Sequence, residues 1–171
     1  MRSAKNLDEF EEHWKEFLHR LERVWNKTKA HFSRSPKWHG WVSKYENTRK
    51  NDPLLSYLTN ARGAEEHTVN EITGREPGGI GINSAQGNSL YIESLEQRDG
   101  AIFIKSPQQL KIEFRPARTN LLPVTNRGRT YPVPGAHLDR AINPADVPEL
   151  ATIALLYYRA ALENAEKFFV R

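Results

Sequence analysis

Apolar residues recur along the start of the chain at three- and four-residue spacing. They are Leu7, Phe10, Trp14, Phe17, Leu18, Leu21, Val24 and Trp25, with Glu and Lys between them. That period predicts a helix from about Leu7 to about His31. Ser33-Arg34-Ser35-Pro36 breaks it, and Trp38, Trp41, Val42 and Tyr45 predict a shorter second helix ending before Asp52-Pro53. Asp52-Pro53 is a start signal, a capping carboxylate followed by proline at the first helical position, where a missing N–H costs nothing. Leu54, Leu55, Leu58, Ala61, Val69 and Ile72 then form the apolar face of a third helix reaching about Ile72.

The pattern changes after Thr73-Gly74. Pro77-Gly78-Gly79-Ile80-Gly81 through Gly87-Asn88 reads as a linker into a sheet; it lacks the lysine and hydroxyl residue of a phosphate-binding loop. Leu90, Tyr91 and Ile92 predict one strand, Asp99-Gly100 a hairpin turn, and Ala101 to Ile104 the returning strand. Leu110, Ile112 and Phe114 alternate with Lys111, Glu113 and Arg115, which predicts one buried and one wet face. Asn126-Arg127-Gly128 suits a short hairpin, with Pro123, Pro132 and Pro134 restricting the surroundings to edges or loops. Asn143-Pro144 and Asp146-Val147-Pro148-Glu149 both signal a helix start. From Leu150 to Phe169 little polar face remains, which predicts burial against several neighbours or against a partner subunit. The expected fold is α+β and a single domain over 1–171. A four-helix bundle from 1–72 and 144–171 carries a small antiparallel sheet inserted at about 88–133.

Composition narrows the class. At 171 residues, 38% hydrophobic and 27% charged, the chain is neither disordered nor membrane-embedded, so no membrane partner is expected. The start leads into polar sequence without a signal-peptide core, and cysteine is absent, which excludes disulfides and thiolate metal sites. A cytoplasmic protein is expected on those grounds. Net charge is only +4, but residues 20–50 hold nine basic side chains against Glu22 and Glu46. Trp25, Phe32, Trp38, Trp41 and Tyr45 are interleaved with them. Basic plus aromatic suits a phosphate backbone with stackable bases, which makes Lys27, Lys29, Arg34 and Lys37 candidate RNA-binding residues. The same pattern also arises when aromatics pack inside and lysines solvate the outside.

Candidate chemistry is sparse. The six histidines form no HExxH and no pair at four-residue spacing on one helix face, so neither a metal nor a cofactor is expected. There is no Gly-x-Ser-x-Gly elbow. In the third helix, Arg62 and Glu65 fall inside the apolar stripe, where charge must be paired or reactive. His67 lies roughly 140° round an ideal helix from Arg62, on the face of Ser56, Asn60 and Gly63. Convergence of the two calls for a kink, for which Gly63 is a seat.

Arg62 and His67, an arginine followed by four residues and a histidine on a helix of an α-bundle, resemble the signature of the HEPN superfamily. The stretch Leu54 to Arg62 is similar to a helix of small bacterial proteins with such a core. The resemblance covers the helical residues, about 1 to 72 and 144 to 171. It implies a metal-independent endoribonuclease that works where two bundles dimerise and leaves a 2′,3′-cyclic phosphate. Arg62 would then stabilise charge on the scissile phosphate, and His67 would move protons at the 2′-hydroxyl or the leaving oxygen. Asn60 and Glu66, beside them on the same helix, are candidate binding residues. The alternative is a catalytically silent RNA-binding or protein-interaction module, with Arg62–Glu65 as a structural ion pair.

Overall fold

Local side-chain caps start three of the four helices in the described residues. In the computed structural model, which describes residues 1, 3–67 and 70–170, the Asn6 side chain accepts the Glu9 N–H at 2.8 Å and opens α1 (Leu7–Phe32). After α2 (Trp38–Asn51), Asp52 accepts the Leu55 N–H at 2.9 Å and opens α3 (Pro53–His67). Asp146 accepts the Glu149 N–H at 3.0 Å ahead of α4 (Val147–Phe169). The start signals at Asp52 and Asp146 thus act as the residue types require. Helix α3 runs unbroken through Gly63 to His67, so the glycine does not end it. A side chain at that position would meet Asn126 Nδ2 at 2.5 Å, so the glycine serves close approach instead. Val69, expected on the apolar face of α3, lies outside the described residues.

The chain divides into two compact units, residues 1–75 with 119–171, and residues 76–118. In the first, α3 is central. Leu54, Leu55, Tyr57, Leu58, Ala61 and Ala64 are each at most 2% exposed, and α3 packs against α1, α2 and α4. Strands β7 (Val124–Asn126), β8 (Arg129–Tyr131) and β9 (Ala136–His137) also pack on α3, and the Tyr57 hydroxyl donates to the Leu122 carbonyl at 2.7 Å. Strands therefore share with the helices the work of covering α3. The aromatics of residues 20–50 stack on one another: Trp41 on Tyr45 at 4.4 Å, Trp25 on Trp41 at 6.1 Å, and Phe32 on Phe169 at 4.5 Å. Trp25, Trp38, Trp41 and Tyr45 are buried, so they are core and not platforms for bases.

The strands differ from the single small sheet expected at 88–133. Among the described residues they run from Thr73 to Ala141 and form five separate pairs. These are β1 (Thr73–Glu76) with β6 (Arg118–Leu121), β2 (Gly79–Ser84) with β5 (Leu110–Arg115), β3 (Ser94–Arg98) with β4 (Ala101–Lys105), β7 with β8, and β9 with β10 (Arg140–Ala141). The glycine-rich segment read as a linker holds β2, since two glycines in an extended strand leave its backbone ladder intact. Leu90 to Ile92 lie outside any strand, and the pairing begins at Ser94. Ile112 and Phe114, expected to be buried, are 48% and 77% exposed. Alternation reports a two-faced strand, and nothing in this unit covers the apolar face.

Helix α4 is less enclosed than its composition suggests. Val147, Leu150, Ala151, Ala154, Tyr158, Ala161 and Ala165 face the core, while Leu155, Leu156, Leu162 and Phe168 are exposed. Among the described residues no helix is long and apolar enough to cross a membrane.

Candidate functional site

Helices α1 and α3 bring five chemically active side chains together. The Arg62 Nη2 donates to Glu66 Oε1 one turn further along α3, and His67 Nε2 lies 3.7 Å from Glu66 Oε2. From α1, His19 reaches the same carboxylates: Nε2 is 2.8 Å from Glu65 Oε2, and Nδ1 is 3.6 Å from Glu66 Oε1. Glu66 is therefore the meeting point. Arg62 and His67, which diverge on an ideal helix, both converge on the carboxylate that sits between them in sequence.

The core ion pair expected between Arg62 and Glu65 does not form. At i, i+4 spacing Glu66 offers Arg62 a straighter reach than Glu65, and Glu65 is taken by His19. The Arg62 side chain is 31% exposed, so it borders the core without being sealed in it. Its Nε is buried without a hydrogen-bond partner, leaving the guanidinium one donor free.

Next to this cluster lies a pocket of about 290 Å³, lined by His19, Glu22, Arg23, Asn26, Lys27 and Arg62. Glu22 is held by Arg49, which leaves Arg23 and Lys27 as cations without an ion-pair partner among the described residues. The pocket thus presents two free cations, one partly neutralised guanidinium and one imidazole. That set suits an anion the size of a phosphodiester.

The other candidate binding residues lie elsewhere. Asn60 donates to the Ser56 carbonyl at 2.8 Å and accepts from Asn126 Nδ2 at 3.0 Å, which ties α3 to β7. Lys37 Nζ donates to the Phe168 carbonyl at 3.3 Å and so satisfies the last turn of α4. Lys29 and Arg34 are exposed and line no part of the pocket. Arg49, counted among the basic residues of 20–50, is 9% exposed and bound to Glu22 at 2.5 Å, so its charge is internal.

His19 stands in no metal or catalytic motif of the sequence, and Arg23 is one of the nine basic residues of 20–50. The i, i+4 spacing of His19 and Arg23 on α1 was the available signal. That α1 lays this face against α3 is tertiary information.

No protein-family model, curated protein or solved structure matches the chain.

Proposed function

We propose that this chain is an RNA-binding, metal-independent endoribonuclease of HEPN-like type. In this reading its helices form the four-helix bundle of that superfamily, and it acts as a homodimer in the cytoplasm. The observation that carries the reading is the convergence of Arg62, His19 and His67 on Glu66, beside the unpaired Arg23 and Lys27. Arg62, drawn from Glu66 to the substrate, holds the non-bridging oxygens of the scissile phosphate through paired N–H donors. One imidazole takes the proton from the ribose 2′-hydroxyl. The 2′-oxygen bonds to phosphorus, the bond from phosphorus to the 5′-oxygen breaks, and the second imidazole protonates that oxygen. The products are a 2′,3′-cyclic phosphate and a 5′-hydroxyl. Two imidazoles, one taking a proton and the other giving one, serve as base and acid without a metal.

A second reading is a silent RNA-binding module, favoured by the neutralisation of Arg62 by Glu66. One experiment separates the two. Mixed single-stranded RNA and tRNA are incubated with the protein in EDTA, alongside His67→Ala and His19→Ala. Cleavage with cyclic-phosphate ends, lost in both variants, is the expected result. Gel retardation without cleavage, weakening steeply with salt, would select the binding module. No interaction at low salt would remove both readings.

A further inference from the structure

Residues 77–92 contain no charged side chain, and β2 lies within that run. Among the described residues its one hydrogen-bonded neighbour is β5. The parity of that ladder follows from its end, where the Ala85 N–H donates to the Gln109 carbonyl at 2.9 Å and extends the Ser84–Leu110 register by one residue. In an antiparallel pair, residues that exchange hydrogen bonds alternate with residues that do not. Gly79, Gly81 and Asn83 therefore turn their N–H and C=O groups toward β5, and Ile80 and Ile82 turn theirs outward. Open edges are ordinarily guarded by charge, proline or a bulge. Strand β5 carries Lys111, Glu113 and Arg115, whereas β2 has no such guard.

The side chains make the same case. Ile80 pairs with Phe114 and Ile82 with Ile112, so one face of the ribbon is apolar. Ile80 is 43% exposed and Phe114 77%, and no residue of 76–118 is buried. A two-stranded ribbon is marginal in water, and an apolar face needs three or more strands or a covering layer to be stable.

We propose that β2 pairs antiparallel with β2 of a second copy across a two-fold axis at Gly81, giving a four-stranded sheet ordered β5–β2–β2–β5. This pairing rests on the homodimer reading above and sets the two-fold contact on β2 instead of on the bundle helices, where the HEPN resemblance implies it. The register follows from the side chains: centred on Gly81, Ile80 meets Ile82 of the other copy twice, and the apolar faces of both ribbons join. Ile80 and Ile82 then supply the bridging hydrogen bonds. Gly81 faces its own counterpart at the closely spaced, non-bonded position, where a missing side chain lets two backbones approach. A charge-free strand meets its own copy without repulsion. The apolar groove between α1 and α4 competes less well, because its helices have no open backbone groups and its rim charges pair internally, Glu16 with Arg20 and Arg159 with Glu163.

The native chain has no cysteine, so a single introduced thiol reports on the axis directly. A side chain at Gly81 would meet Arg115 and Glu113 no closer than 3.6 Å, so Gly81→Cys fits the ribbon. Across the axis the two positions stand about 4.5 Å apart, within reach of a disulfide. Mild oxidation is expected to give a covalent dimer for Gly81→Cys and none for Asn83→Cys, which the register sets opposite Gly79. Light scattering is expected to give twice the 19.7 kDa chain mass for the native protein and one chain mass for Ile80→Lys, with helical circular dichroism unchanged. A native mass of one chain at micromolar concentration would overturn the homodimer and this surface together. A dimer that Gly81→Cys fails to cross-link would overturn the surface alone, and its dissociation by Leu156→Glu would move the interface to α4.

Discussion

The Asp52 carboxylate holds the His137 imidazole inside the helical unit, with Nδ1 2.9 Å from Oδ1 and both residues under 9% exposed. The same Oδ1 accepts the Leu55 N–H at 2.9 Å, and Oδ2 accepts the Leu138 N–H at 2.7 Å. One side chain therefore caps α3 and pins the turn between β9 and β10. That turn places Leu138 and Asp139 at φ +47° and +62°, a backbone region costly for leucine. Asp52→Ala removes the cap and strands a buried imidazole and two N–H groups. Destabilisation of about 2–4 kcal/mol is expected by urea titration. Asp52→Asn, which keeps an acceptor for the cap, should lose less than half of that. Equal losses in the two variants would show that the negative charge, and not the cap, is what matters.

Arg49 is the second internal tie. It bonds Glu22 at 2.5 Å, donates through Nε to the Tyr158 hydroxyl at 2.8 Å, and lies 4.4 Å above the Trp25 ring. Arg49→Ala leaves the Glu22 carboxylate and the Tyr158 hydroxyl without this partner, a loss of about 3 kcal/mol. Arg49→Met with Glu22→Leu removes both charges and keeps the volume, so the double variant should recover much of the loss. Denaturant midpoints of the two variants and the native protein check this, and a double variant as unstable as Arg49→Ala would contradict it.

What the sequence discloses follows from the range of each signal. Caps, helical periods and turn pairs are local: Asp99-Gly100 turns β3 into β4 with φ +51° and +77°, and Arg127-Gly128 turns β7 into β8 with +50° and +76°. The Leu138-Asp139 turn has the same handedness but no glycine, so its sequence gives no hairpin signal. Strand β2 hides among glycines that ordinarily mark loops. The site divides likewise. Arg62, Glu66 and His67 share one helix and were legible together, whereas His19 is 46 residues from Glu65 and joins only through packing of α1 on α3.

Buried tyrosines set the behaviour at high pH. Burial raises the Tyr57 and Tyr158 hydroxyls above the ordinary value of 10.0 and pushes Tyr157 up to about 12. Between pH 10 and 12 the unfolded chain has released these protons and the folded chain retains them, so unfolding becomes easier as pH rises. The stability they contribute is complete below pH 10 and falls away above it. Phenolate absorbance and circular dichroism, recorded together in an alkaline titration, should show part of the tyrosine signal appearing only with loss of helix. Full ionisation at pH 10.5 with the helices intact would contradict it.

Arg62 offers the cleanest separation of fold from function. Its carboxylate partner Glu66 is 29% exposed and the arginine 31%, and Glu65 keeps its own bond to His19 when Arg62 is removed. No buried charge is stranded, so Arg62→Ala should cost only about 0.5–1 kcal/mol of stability, the range of a partly exposed pair. Under the proposed ribonuclease function the loss of activity should be far larger. Removing a donor aimed at a developing negative charge lowers turnover by about two to three orders of magnitude. Arg23→Ala and Lys27→Ala should instead weaken RNA binding across all sequences and each reduce the salt dependence by about one phosphate contact. Thermal unfolding, single-turnover cleavage and salt-dependent retardation of the three variants separate these effects. An Arg62→Ala protein that loses 3 kcal/mol or more would return the residue to a structural role, and one that cleaves RNA at the native rate would remove it from the site.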